Sequence, residues 1–81
     1  MKIIKISAVW CSSCIIMKSR FNEVIKDKDI EVISFDYDID DIEEYNVGEI
    51  LPVFIKIKDG REVNRLVGEH SKKEIESFIG E

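Results

Sequence analysis

The sequence predicts an α/β domain of order β-α-β-α-β-β-α, with a mixed four-stranded sheet and helices on both faces. Three observations lead there. β-Rich apolar runs alternate with segments whose apolar residues recur at three- and four-residue steps, the mark of strands joined by amphipathic helices. Asp59-Gly60 separates two β-rich runs, which is a two-residue hairpin signal. The chain has 81 residues, so one domain over 1-81 is expected.

The elements follow in order. Residues 2–9 form the first strand, from Ile3-Ile4-Lys5-Ile6 onward. Lys5 interrupts the apolar run, so Met1–Ile6 reads as a mature strand rather than a leader. A helix follows from Cys11 to Asp27, with Cys14, Met17, Phe21, Val24 and Ile25 on its core stripe. Asp27-Lys28-Asp29 is a turn. Ile30–Phe35 is a second strand, parallel to the first through a crossover helix. Residues 38–46 are acidic and mixed, and a short helix capped by Asp38 or Asp40 is expected. Ile50–Lys58 is a third strand, with Pro52 confined to its start or an edge because proline lacks a backbone donor. Glu62–Val67 returns antiparallel. Ser71-Lys72-Lys73-Glu74 is a capping box opening a last helix whose Ile75, Phe78 and Ile79 face inward.

Composition narrows the function. Formal net charge is -5, from 12 basic and 17 acidic residues, which disfavours nucleic acid or an anionic membrane as partner. No apolar stretch reaches the roughly 20 residues of a membrane span. A monomer in the cytoplasm is the expectation. Two cysteines are too few for a secreted disulfide scaffold.

Those two cysteines carry the chemistry. Trp10-Cys11-Ser12-Ser13-Cys14 stands at a strand-to-helix junction, where a C-x-x-C reads as a thiol–disulfide couple. On a first helical turn the two sulfurs can close a small ring. Unpaired N–H groups and the positive end of the helix dipole favour a thiolate at Cys11. The Ser12 and Ser13 hydroxyls can modulate it. The competing readings are a structural pair or half of a metal site. A closed zinc site needs four ligands, and His70, next to a helix cap, is the one other soft ligand. Two chains could share such a site. Asp36–Asp40 lacks the glycine and glutamate of an EF-hand loop, since Asp41 and Val47 stand there, so it reads as a solvated acidic face.

Element order and motif together resemble the thioredoxin family in a minimal, glutaredoxin-sized form. Trp10-Cys11-Ser12-Ser13-Cys14 is similar to its active-site segment. Ile50-Leu51-Pro52 is similar to its cis-proline step, Lys58-Asp59-Gly60 to its hairpin, and Val67-Gly68 with Ser71-Lys72 to its last strand and helix. The resemblance implies a protein disulfide oxidoreductase. Cys11 would attack, Cys14 would resolve, Pro52 and the Leu51 backbone would shape the substrate groove, and Trp10 would wall it. Gly68 would contact substrate or relieve crowding at a strand end. No bound cofactor or metal is implied beyond the Cys11–Cys14 disulfide. Partners would be disulfide-containing proteins and a thioredoxin-reductase-like or other donor, since the chain has no nucleotide or flavin motif.

The chain also departs from the family. Lys5 occupies the position of its buried acid, and Ser34 that of a partner lysine. Lys5 would lower nearby thiol pKa values by charge attraction if it reaches the site, or carry its ammonium to solvent at the strand edge. A glutaredoxin-like, glutathione-dependent protein is the alternative within redox chemistry. Against it stand Ile50-Leu51-Pro52 instead of Thr-Val-Pro, and Val67-Gly68-Glu69 instead of a Gly-Gly-Asp segment. A non-catalytic metal-binding or interaction module is the alternative outside it.

Overall fold

A computed structural model describes residues 1–80. The strands are β1 (Lys2–Ser7), β2 (Glu31–Asp36), β3 (Val53–Lys58) and β4 (Arg61–Val67), and the α-helices are α1 (Ser12–Ile25) and α2 (Lys72–Gly80). The sheet order is β2-β1-β3-β4. β1 runs parallel to β2 and antiparallel to β3, and β3 and β4 form the hairpin. Asp59 and Gly60 turn that hairpin with φ of 54° and 77°. Positive φ at both central residues matches the right-handed twist of the flanking strands.

Strand alternation divides the interior into two cores. Ile3 and Phe54 point to one face, where Met17 and Phe21 of α1 and Ile75, Phe78 and Ile79 of α2 cover them. The Phe21 and Phe54 rings stack with centroids 4.5 Å apart. Each fully buried side chain of this size contributes roughly 1.5–3 kcal/mol. Ile4, Ile6, Val53 and Ile55 point to the other face and pack with Leu51 and both cysteines.

The second face differs from expectation. Both α-helices lie on the Ile3 face. The helix expected over 38–46 is a single 3-10 turn, Glu43–Tyr45, within a loop whose Tyr37, Ile42, Tyr45 and Val47 cover the sheet. The cause is local. Asp36 Oδ1 accepts the N–H groups of Asp38 at 2.9 Å and Ile39 at 3.2 Å, and Asp40 Oδ2 accepts the Asp36 N–H at 2.7 Å. Such side-chain bonds offer the backbone an alternative to helix. Asn46, at φ 50°, then ends the turn in the left-handed region.

The other boundaries move by a few residues. β1 stops at Ser7, because the Ala8 carbonyl accepts the Cys11 N–H at 3.2 Å as the chain turns into α1. α1 ends at Ile25, two residues before Asp27. β3 starts at Val53 rather than Ile50. Pro52 has no N–H to give a neighbouring strand, and its carbonyl accepts the Gly68 N–H at 2.9 Å. The capping box forms: Glu74 N–H donates to Ser71 Oγ at 3.2 Å, and Ser71 N–H donates to Glu74 Oε1 at 3.0 Å. One β3 side chain breaks the apolar rule. Lys56 is 1% exposed, and its Nζ donates to the Phe78 carbonyl at 2.6 Å near the end of α2. A cation there meets the negative end of the helix dipole.

Candidate functional site

The site forms where β1 ends, α1 begins and the loop before β3 comes alongside. Cys11 is the N-cap of α1, and its side chain does the capping: the Cys14 N–H donates to Cys11 Sγ at 3.2 Å. This is the helix-start donor expected from the motif, aimed at the sulfur. On its other side Cys11 Sγ donates to the Leu51 carbonyl at 3.8 Å. The Leu51–Pro52 bond is cis, and both residues are buried. The first cysteine therefore lies between the start of α1 and the proline step.

Cys14 is one turn further in, 7% exposed. Burial pushes its thiol pKa up to about 11, with further upward pressure from the Cys11 side chain, while Lys5 pulls it down. Both thiols are free, a reduced dithiol. Ser12 is exposed and Ser13 partly so.

Trp10 is 61% exposed at the rim. Its indole Nε1 donates to Asp38 Oδ2 at 2.6 Å, and its ring meets Tyr37 edge-on at 6.2 Å. Its sequence neighbour Val9 is exposed, and so is Ile50 before the proline step. Gly68 lies behind Pro52 at φ 84°. Asp38 and Tyr37 escaped the sequence reading. Asp38 is 28 residues from Trp10, and its carboxylate looks like the rest of a solvated acidic run. An odd tryptophan with an unassigned N–H was the only signal.

Lys5 does not reach a sheet edge. β1 is an interior strand, with Ser34 opposite Lys5 on one side and Phe54 on the other. The side chain is partly buried, and its pKa is lowered, first by burial, then by Lys18, against an opposing pull from Cys14. His70 is partly buried too: Nε2 faces the Val67 carbonyl at 2.8 Å and Nδ1 faces Glu74 at 3.1 Å. Among the described residues no three His, Cys, Asp or Glu side chains are grouped to hold a metal ion. No described helix is long and apolar enough to cross a membrane.

The whole chain, residues 1–81, matches the family model described as Thioredoxin. This chain belongs to the thioredoxin family. It is 39% identical to Thioredoxin H-type of Fagopyrum esculentum over 82% of this chain and 59% of that protein. It is 33% identical to Thioredoxin H2-2 of Oryza sativa subsp. japonica over 95% of this chain and 58% of that protein. The chain thus spans under two thirds of the length of these curated relatives. Among solved structures, a reduced Schistosoma mansoni thioredoxin pre-protein superposes with TM-score 0.83 at 28% identity, covering 98% of this chain and 75% of that one. A malaria parasite thioredoxin-2 superposes with TM-score 0.85 at 19% identity, over 98% and 80%, a likeness of fold.

Proposed function

We propose that this thioredoxin-family chain is a thiol–disulfide oxidoreductase that reduces protein disulfides through Cys11 and Cys14. One observation carries the reading: the Cys11 sulfur, 9% exposed at the start of α1, accepts a helix-start N–H while a second thiol sits one turn behind it. The Cys11 thiolate attacks one sulfur of a substrate disulfide. A mixed disulfide forms, and the other substrate sulfur leaves as a thiolate and takes up a proton. Cys14, deprotonated, then attacks Cys11 Sγ. The Cys11–substrate bond breaks, the Cys11–Cys14 disulfide forms, and the substrate leaves fully reduced. Two electrons pass from the dithiol to the substrate. The resident group is this disulfide, with no bound cofactor.

Trp10, the Leu51 backbone, Pro52 and Gly68 would line the groove that receives an extended substrate segment. Ser12 and Ser13, at the helix start, would tune the couple. A reductase or other thiol donor would restore the dithiol, and a reducing compartment such as the cytoplasm suits a protein working in this direction.

The test is a pair of variants read by turnover of a protein disulfide and by mass. Cys11→Ser should abolish turnover, and Cys14→Ser should accumulate mixed disulfides on Cys11. Equal activity in the two variants refutes the roles. One zinc or an iron–sulfur chromophore per dimer, in protein purified without chelator, would favour a metal-binding module instead.

A further inference from the structure

The resolving step leaves one physical problem. Cys14 must lose a proton before it attacks, yet it is buried and its thiol is pushed up to about 11. Burial, the largest cause, persists in the mixed disulfide, whereas the upward pressure from the Cys11 thiol does not. Something near Cys14 has to favour its anion while Cys11, held in the mixed disulfide, is uncharged.

The groups around Cys14 are few. Lys5 lies on the β1 face covered by α1, the same face as Ile3. It lies on an interior strand, between β2 and β3, and is partly buried there. Cys14 and Lys18 are four apart on α1 and therefore share one side of the helix. Lys5 interacts electrostatically with both. A cavity of about 200 Å³ opens beside the thiol, lined among others by Ser7, Cys14, Lys18 and Asp36. Lys18 brings positive charge to the cavity wall and Asp36 of β2 negative charge, and Lys5 stands two residues before Ser7 on the same face of β1. Asp36 Oδ1 already accepts two backbone N–H groups. Cys11 is not among the cavity's lining residues, so Cys14 has an outlet of its own.

We infer that Lys5 is a positioning residue for the resolving step: its ammonium, held beneath α1, stabilises the Cys14 thiolate while the thiol proton leaves to water through the cavity flanked by Lys18 and Asp36. The inference rests on the redox reading above. A charged ammonium has no lone pair, so Lys5 is not the base. Water takes the proton, and the two thiolate electrons form the new bond to Cys11 Sγ. The released substrate thiolate takes a proton back from solvent. The family position that usually offers a carboxylate here offers a positive charge instead.

The experiment uses the full chain with Cys11→Ala, which imitates the uncharged Cys11 of the mixed disulfide and leaves Cys14 as the sole thiol. The pH dependence of Cys14 alkylation gives its midpoint. An opposite charge within a few ångströms lowers a pKa by one unit or more, and Lys5 is only partly buried, so Lys5→Met should raise the midpoint by about one unit. That is a tenfold slower alkylation at any pH below it. Lys5→Arg should keep the midpoint near that of the parent, and Lys18→Met, at an exposed position, should move it less. An unchanged midpoint in Lys5→Met overturns the inference.

Should Lys5→Met fail to fold, a second variant decides. Lys5→Gln in the same Cys11→Ala chain keeps a polar side chain and removes only the charge, and should raise the Cys14 midpoint as Lys5→Met does. An unmoved Cys14 midpoint then overturns the inference. Neither readout needs turnover. A parent chain that forms no Cys11–Cys14 disulfide would sink the redox reading and leave these two measurements standing.

Discussion

Replacing Gly68 with alanine tests how far the groove depends on one backbone conformation. Gly68 has φ of 84° and donates its N–H to the Pro52 carbonyl at 2.9 Å. Two costs follow from adding a methyl group. A Cβ would lie 3.3 Å from Ile50 Cγ2. That contact is tight, but Ile50 is 64% exposed and its methyl can turn away, so the steric cost is small. The left-handed backbone is the larger cost, roughly 1–2 kcal/mol for a residue with a side chain. A domain of this size loses about 4–8 °C of Tm per kcal/mol. Calorimetry should therefore show a fall of about 4–16 °C in Gly68→Ala, and a smaller one in Gly68→Asn, because asparagine tolerates this region better. At 25 °C the variant remains folded. Its KM for a protein disulfide should rise, because Ile50 is displaced at the groove, while kcat holds. An unchanged Tm would mean that the turn relaxes at no cost, and the reasoning from φ would fail.

Two further outcomes follow from other parts of the site. Asp38→Leu removes the acceptor of the Trp10 indole, a 2.6 Å bond at the surface. Stability should change little, whereas KM should rise about fivefold, equivalent to the ~1 kcal/mol of one hydrogen bond; unchanged KM and Trp10 fluorescence would show that Asp38 does not hold the ring. At the start of α2, Glu74 is held down to about 2, chiefly by the Ser71 backbone N–H and then by His70, while His70 is raised, chiefly by Glu74. A depressed acid contributes above its ordinary value near 4.5, and that contribution is lost as pH falls toward about 2. A raised histidine contributes below its ordinary 6.5, and that contribution is lost as pH rises through the raised value. The Tm advantage of the native chain over Glu74→Gln should thus peak between pH 4.5 and 6.5; a difference flat across pH would refute the coupling.

Much of this architecture is legible in the residues because local and tertiary preferences agree. The stripe Cys14, Met17, Phe21 is both helical and core, and Asp59-Gly60 both permits and requires its turn. Legibility fails where side chains redirect the backbone or meet across the chain. Residues 38–46 have helical spacing in places, but an Asp36-centred turn follows β2 and only Glu43–Tyr45 winds into a 3-10 turn. Lys56 reads as the polar member of an alternating strand, whereas burial and the Phe78 carbonyl turn it inward. The cysteine pair stood out by its spacing, and the downstream proline, hairpin and capped helix strengthened the redox reading of it. The setting of its second thiol was not legible, because the depth of Lys5 depends on which strands flank β1, and only the sheet order decides that.

Under the proposed function, the sulfur that caps α1 is also the one that attacks. A helix and a redox couple therefore share an atom. Whatever steadies the first turn of α1 around the Cys11 thiolate weighs on the reduced side of the equilibrium, and whatever loosens it weighs on the oxidised side. Because about 30 mV corresponds to a tenfold change in a two-electron equilibrium, small edits to the cap at Ser12 or Ser13 become a dial for the potential. Evolution or design could turn that dial without touching either cysteine.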